Sequence, residues 1–190
     1  MKSKNLARLL ERIDYLVQNP QEKRLRIDDV QAELLPPLPP TVTHLVMNRC
    51  HFRLIDNLSS NLAYLRMHDC TSSRLVFPQR LEHAWIHDCR GFKWLPDLPE
   101  SLETLGLKGC EIKSLPKLNR KLEKLELSNL YQLTGELDLP NSQLQQLDIY
   151  DCPLLTGRLY LPDSAVTVAV GKCPGITSVN HRNLTLNLCD

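Results

Sequence analysis

Apolar positions along this chain recur in quartets, and the clearest is Leu102, Leu105, Leu107 and Cys110 in the stretch LPDLPESLETLGLKGC that begins at Leu95. The offsets within the quartet are 0, 3, 5 and 8. Residues two apart share one face of an extended chain, so offsets 3 and 5 predict a strand and the apolar residue after it predicts an inward corner. The Leu-Pro-x-Leu-Pro run ahead of the strand excludes helix, because proline lacks an N–H, fixes φ and pushes the preceding residue toward extended conformations. It predicts an extended, polyproline-like return path.

The same offsets fit Val42, Leu45, Met47, Cys50; Leu62, Leu65, Met67, Cys70; and Leu81, Ala84, Ile86, Cys89. After the stretch at Leu95 they fit Leu122, Leu125, Leu127, Leu130; Leu144, Leu147, Ile149, Cys152; and Ala165, Val168, Val170, Cys173. A degenerate copy with Leu25, Ile27 and Val30 precedes them, and a weaker one with Leu184, Leu186 and Cys189 follows. Copies starting at 22, 42, 62, 81, 102, 122, 144, 165 and 181 predict nine strands, at intervals near the short end of the roughly 20 to 29 residues of leucine-rich repeats. The expected fold is a leucine-rich-repeat solenoid: a curved parallel β-sheet on the concave side, a mostly extended convex side, and an N-terminal helical cap. The organisation expected is a capping helix over 1–21 and one solenoid of about nine repeats over 22–190.

The cap follows from a change of period. Leu6, Leu9, Leu10, Ile13, Leu16 and Val17 keep helical spacing, Ser3 stands where an N-cap would, and Asn19-Pro20 ends the run. A first turn has only one neighbour, so its open side needs this cover. On the convex side, Phe52, Leu54, Ile55 and Leu58 fill one turn, and Leu75, Val76 and Phe77 fill another. Leu133-Thr134-Gly135 and Leu155-Thr156-Gly157, followed by Leu137/Leu159 and Pro140/Pro162, mark a local duplication whose glycines predict positive-φ bends.

With 23 basic and 22 acidic residues the net charge is +1, which supplies no pull toward nucleic acid or a membrane. No apolar stretch has the length of a membrane span and none has the form of a signal peptide, so a cytoplasmic setting is expected. The sequons at Asn57 and Asn183 are then incidental. All seven cysteines fall at the same repeat offset, with Leu130 in their place in one turn, so they read as small buried corner residues and reduced thiols. No Cys-x-x-Cys pair or phosphate-binding glycine motif is present.

Residues between the inward leucines alternate outward onto the concave sheet, where the repeat does not dictate their identity. At offset 4 they run Arg26, Val46, Arg66, Trp85, Gly106, Glu126, Asp148 and Ala169, then Thr185, from a basic and aromatic end to an acidic one. Tyr64, Arg66, His68, His83, Trp85 and His87 gather on adjacent strands, with Gly106 expected to leave a dent beside the indole. These residue types anchor protein interfaces. Glu126, Asp148 and Tyr150 form the second, acidic candidate. The repeated His68-Asp69-Cys70 and His87-Asp88-Cys89 raise a metal or acid–base alternative, but repetition in register explains the echo, and the aspartates fit turn positions. No nucleophile, base and orienting group stand together, so neither catalysis nor a cofactor is expected.

LPPLPPTVTHLVMNRC and LPDLPESLETLGLKGCEIKSLPKL resemble the short Leu-Pro-rich repeats of the bacterial effectors of the YopM and IpaH group, over Glu22 to about Cys189. That resemblance implies a binding scaffold acting on a protein inside a host cell, delivered there by a bacterium. Where that family carries asparagine at the corner, this chain has cysteine. The Cys-x-Asp nucleophile motif of the family's ligase members is not matched by Cys189-Asp190. The role expected is therefore protein binding through the concave face. The alternative is a housekeeping scaffold that self-associates through a last strand left bare at the C-terminal end.

Overall fold

The computed structural model describes residues 2–137, 139, 143–180 and 187–189. Among these residues one helix, α1 (Lys2–Gln18), precedes fourteen strands. In chain order these are β1 (Arg24–Asp28), β2 (Gln31–Leu34), β3 (His44–Asn48), β4 (His51–Ile55), β5 (Tyr64–His68), β6 (Arg74–Leu75) and β7 (His83–His87). There follow β8 (Thr104–Lys108), β9 (Lys124–Ser128), β10 (Gln146–Tyr150), β11 (Gly157–Tyr160), β12 (Thr167–Gly171), β13 (Ile176–Asn180) and β14 (Asn187–Cys189). Nine of them form one parallel sheet in the order β1-β3-β5-β7-β8-β9-β10-β12-β14. The fold is a leucine-rich-repeat solenoid with that sheet on its concave side.

Strands such as β3, β7 and β9 alternate a buried with a more exposed residue because every second side chain points into the ribbon-like core shared by successive turns. The quartet residues fill that core: Leu45, Met47, Leu65, Met67, Leu105, Leu107, Leu125 and Leu127 are all fully buried. Turns close before the strands by a recurring bend. The N–H groups of Val42, Leu81, Leu102 and Ala165 donate to the carbonyls of Pro39, Pro78, Pro99 and Pro162, three residues back, at 3.0–3.1 Å. Proline suits that first position because only its carbonyl is used.

The corner after each strand obeys a backbone rule that the apolar pattern did not reveal. The residue just ahead of the corner is left-handed in eight successive turns: Asp29, Arg49, Asp69, Asp88, Gly109, Asn129, Asp151 and Lys172, with φ between 50° and 62°. Asp, Asn and Gly tolerate that region best, which accounts for six of the eight. The N–H of each of the first seven reaches the next turn, as in Asp29 to Asn48 O (3.0 Å), Asp88 to Lys108 O (2.7 Å) and Asp151 to Gly171 O (3.0 Å). Beneath them, Cys50, Cys70, Cys89, Cys110, Cys152 and Cys173 are buried free thiols. The Cys110 Sγ–H lies 3.3 Å from Ile86 O of the preceding turn and 3.3 Å from Lys108 O of its own, and Cys50 and Cys152 repeat the pattern. Burial pushes the Cys110 thiol up to about 11 and Cys152 up to about 12, so both remain protonated donors.

Several expectations are corrected. The register pairs Val170 with Leu188 and Gly171 with Cys189, so the last copy starts two residues later than its apolar spacing implies, and Cys189 is level with Gly171 instead of with Cys173. Leu184, Leu186, Thr185 and the Asn183 sequon lie outside the described residues, as does Pro140. Helix α1 begins at Lys2, so Ser3 is inside it and is not its N-cap. Leu9, Ile13 and Leu16 join the core, but Leu10 and Val17 face solvent, and so does Val76 on the convex side. The convex side is also more ordered than a purely extended return: β2-β4-β6 and β11-β13 are small parallel sheets of their own. Gly135 and Gly157 adopt φ 94°, the bend expected of the duplication. Among the described residues no helix is long and apolar enough to cross a membrane.

Helix α1 is tied to the first turn by Asn5 Nδ2–H to Asp29 O at 2.9 Å and by an Arg12–Glu22 ion pair, in addition to its buried leucines. Deleting residues 1–19 should expose Leu25, Ile27 and the β1 edge and cause aggregation or loss of a cooperative denaturant transition; an equally cooperative, monomeric deletion would contradict the capping role. Cys110→Ala should lower stability by about 1 kcal/mol, read from the urea midpoint, while reducing agent leaves the wild-type midpoint unmoved because the thiols are free.

Candidate protein-binding surface

The in-register stacking of turns places the outward residues in straight rows. Tyr64 pairs with His83, Arg66 with Trp85 and His68 with His87. The next strand sets Thr104, Gly106 and Lys108 beside them, and the one after it Lys124, Glu126 and Ser128. Parallel neighbours are about 4.8 Å apart, so large side chains in a row must touch or splay. They touch. The His44 and Tyr64 rings stack with centroids 5.7 Å apart, Tyr64 leans on His83 at 6.4 Å, and His83 Nδ1 is 3.1 Å from Thr104 Oγ1.

Trp85 is half-buried on this face, and Gly106 is not a dent beside it. The indole occupies that space: a Cβ on Gly106 would stand 2.2 Å from Trp85 Cε3 and 2.5 Å from Cζ3. Lys124 Nζ covers the ring at 5.3 Å from its centroid and lies 3.8 Å from Glu126 Oε2. Lys124 is thus part of the tryptophan's packing, and the basic–aromatic and acidic candidates form one continuous strip. Farther along, Asp148 accepts from Gln146 Nε2 at 2.6 Å, and the exposed Tyr150 has Lys172 Nζ 5.3 Å from its ring centroid. Glu126 and Asp148 are direct register partners.

His87 is the most unusual polar group in the strip. The indole meets its ring edge-on at 6.0 Å, and its Nε2 is buried without a hydrogen-bond partner among the described residues. Burial, and then the Arg66 cation, hold its pKa below the ordinary histidine value, so the ring is neutral at pH 7. The neutral ring packs edge-on against the indole and helps hold it in place. His68 Nε2 lies 3.4 Å from Asp88 Oδ2. Among the described residues no three His, Cys, Asp or Glu side chains converge to hold a metal ion. What fixes Asp69 and Asp88 in the His-Asp-Cys echo is the left-handed corner that they share with six other turns.

Offset counting puts His44 and Lys124 on the concave face but leaves both out of the candidate patch, with Lys124 as an exposed rim residue, and it misjudges Gly106. The period alone carried the information, since Gly106 stands between Trp85 and Glu126 in one row and leaves room for the indole to meet Lys124 of the adjacent row. No protein-family model matches the chain, and no curated protein does.

Gly106→Ala should leave the solenoid folded, because its backbone is unstrained and the atoms in the way belong to a movable side chain. The indole would have to swing off Lys124, at a cost of about 1–2 kcal/mol. In a Trp94→Phe background, which removes the exposed second tryptophan, emission of Trp85 should shift to the red; unchanged emission would contradict the packing described.

Proposed function

We propose that this protein is a binding module that captures another protein on its concave sheet, with Trp85 as the anchor and Tyr64, Arg66, His83, His87 and Lys124 around it. The observation that carries the reading is the half-buried indole held on a rigid sheet between Lys124 and the ring of His87. A large aromatic with its orientation already fixed loses little entropy on binding, and aromatic and arginine side chains supply most hot-spot energy. The parallel sheet supports this role by holding these groups in register without depending on loops. Binding and not chemistry is the proposed activity. The likeness of the Leu-Pro turns to the YopM and IpaH group favours a host cytosolic protein as the partner, with the chain acting there as a bacterial effector.

Immobilised protein incubated with host-cell cytosol, followed by mass spectrometry, should retain a partner. Trp85→Ala should weaken that partner by about 2 kcal/mol or more, roughly thirtyfold in Kd by calorimetry, while Lys117→Ala on the convex side changes nothing. The circular dichroism of both variants should match the wild type. Equal capture by a folded Trp85→Ala protein would move the site away from this surface.

A further inference from the structure

A second feature adjoins this surface at the start of the concave face, where α1 meets the first strands. A slot of about 550 Å³ opens there, bounded by Arg12 of the helix, Glu22, Arg24 and Arg26, and by His44, Val46 and Tyr64 on the next two strands. Its shape follows from the rows. Val46 sits between Arg26 and Arg66 in register, so a short side chain stands between two long ones and forms an apolar floor. The stacked His44–Tyr64 pair, 21° from parallel, makes one wall. His44 is oriented by Thr43 Oγ1, 2.9 Å from its Nδ1.

The rim carries three guanidiniums against one carboxylate. Arg12 is engaged by Glu22, and Arg26 by Asp28 at 2.8 Å. Arg24 is exposed and has no ion-pair or hydrogen-bond partner among the described residues, which leaves one planar fork of donors uncommitted at the mouth of an apolar slot. A guanidinium binds a carboxylate through two parallel hydrogen bonds, and an aromatic wall favours an apolar neighbour for it. From β1 to β5 the slot spans two strand spacings, on the order of 10 Å, which accommodates two or three extended residues.

We propose that this slot is a subsite for an extended acidic–aliphatic peptide segment of a protein partner, with a Glu or Asp carboxylate on Arg24 and the adjacent aliphatic side chain on Val46 against the His44–Tyr64 wall. The assignment rests on the concave face being a protein-binding surface and adds the chemistry of what it recognises. It shares Tyr64 with the Trp85 platform, but its carboxylate contact is Arg24, so Arg24→Gln and Trp85→Ala test the two independently.

The test is an amide NMR titration of the full chain with acetyl-Glu-Leu-Glu-Leu-amide, alongside its Gln-Leu-Gln-Leu counterpart, inorganic phosphate and anionic phospholipid vesicles. Saturable shifts at His44, Val46 and Tyr64 are expected with the acidic peptide, at least tenfold weaker with the glutamine peptide and with the Arg24→Gln protein, and unchanged in Trp85→Ala. Equal binding of the two peptides, or an Arg24→Gln protein that binds normally, would overturn the carboxylate assignment. Phosphate or vesicles moving the same amides more strongly than the peptide would overturn the peptide as occupant, and no saturable shift at those amides would overturn the subsite. If the peptide fails while Trp85→Ala still abolishes partner capture, only the slot is lost; the reverse result leaves the slot and removes the Trp85 anchor.

Discussion

The structure depends on the hydrogen bonding at one corner, repeated turn after turn. A parallel sheet of five-residue strands cannot stack unless the chain leaves each strand by the same sharp bend, and here a left-handed residue supplies it and donates its N–H to the next turn. The thiol one residue later reaches two carbonyls that would otherwise lie in a dry core with spare acceptor capacity. Cysteine suits this place because it is small enough for a fully buried corner and still carries a donor, and because burial keeps that donor protonated. Where Leu130 replaces it, apolar packing alone fills the corner.

That regularity separates positions with no freedom from positions with a great deal. Inward residues are held by volume, corner residues by φ and the turns before the strands by their carbonyls, so the concave rows are left to vary. The chain uses this freedom unevenly. Arginines and aromatic rings occupy the first half, and Trp85 spreads over a neighbouring glycine that only an open row could provide. Lys124 links the indole to Glu126 across that gap, which makes the face a single strip with a gradient of charge.

The period was legible in the sequence because 0, 3, 5, 8 is a consequence of strand geometry, and a sheet in register preserves it for over a hundred residues. It failed at the end, where Leu184 and Leu186 mimic the spacing but the ladder pairs Val170 with Leu188. Apolar spacing cannot tell such frames apart when leucines recur every second residue. The left-handed corner was written in the sequence as Asp, Asn and Gly ahead of the cysteines, but Arg49 and Lys172 obscured it. The convex strands β2, β4 and β6 left no trace, because residues there alternate weakly and are paired through the backbone. For the surface, which residues share a row followed from counting. How far an indole leans does not follow from counting, and that is why Gly106 was expected to be empty space.

The column of cysteines has a use beyond holding the corners. Each of six sulfhydryls belongs to a different turn, and each is buried while that turn is closed. A solenoid opens locally, since its turns contact only their neighbours. The molecule therefore carries its own chemical clock along its axis: the order in which these thiols become open to alkylation is the order in which the turns come apart.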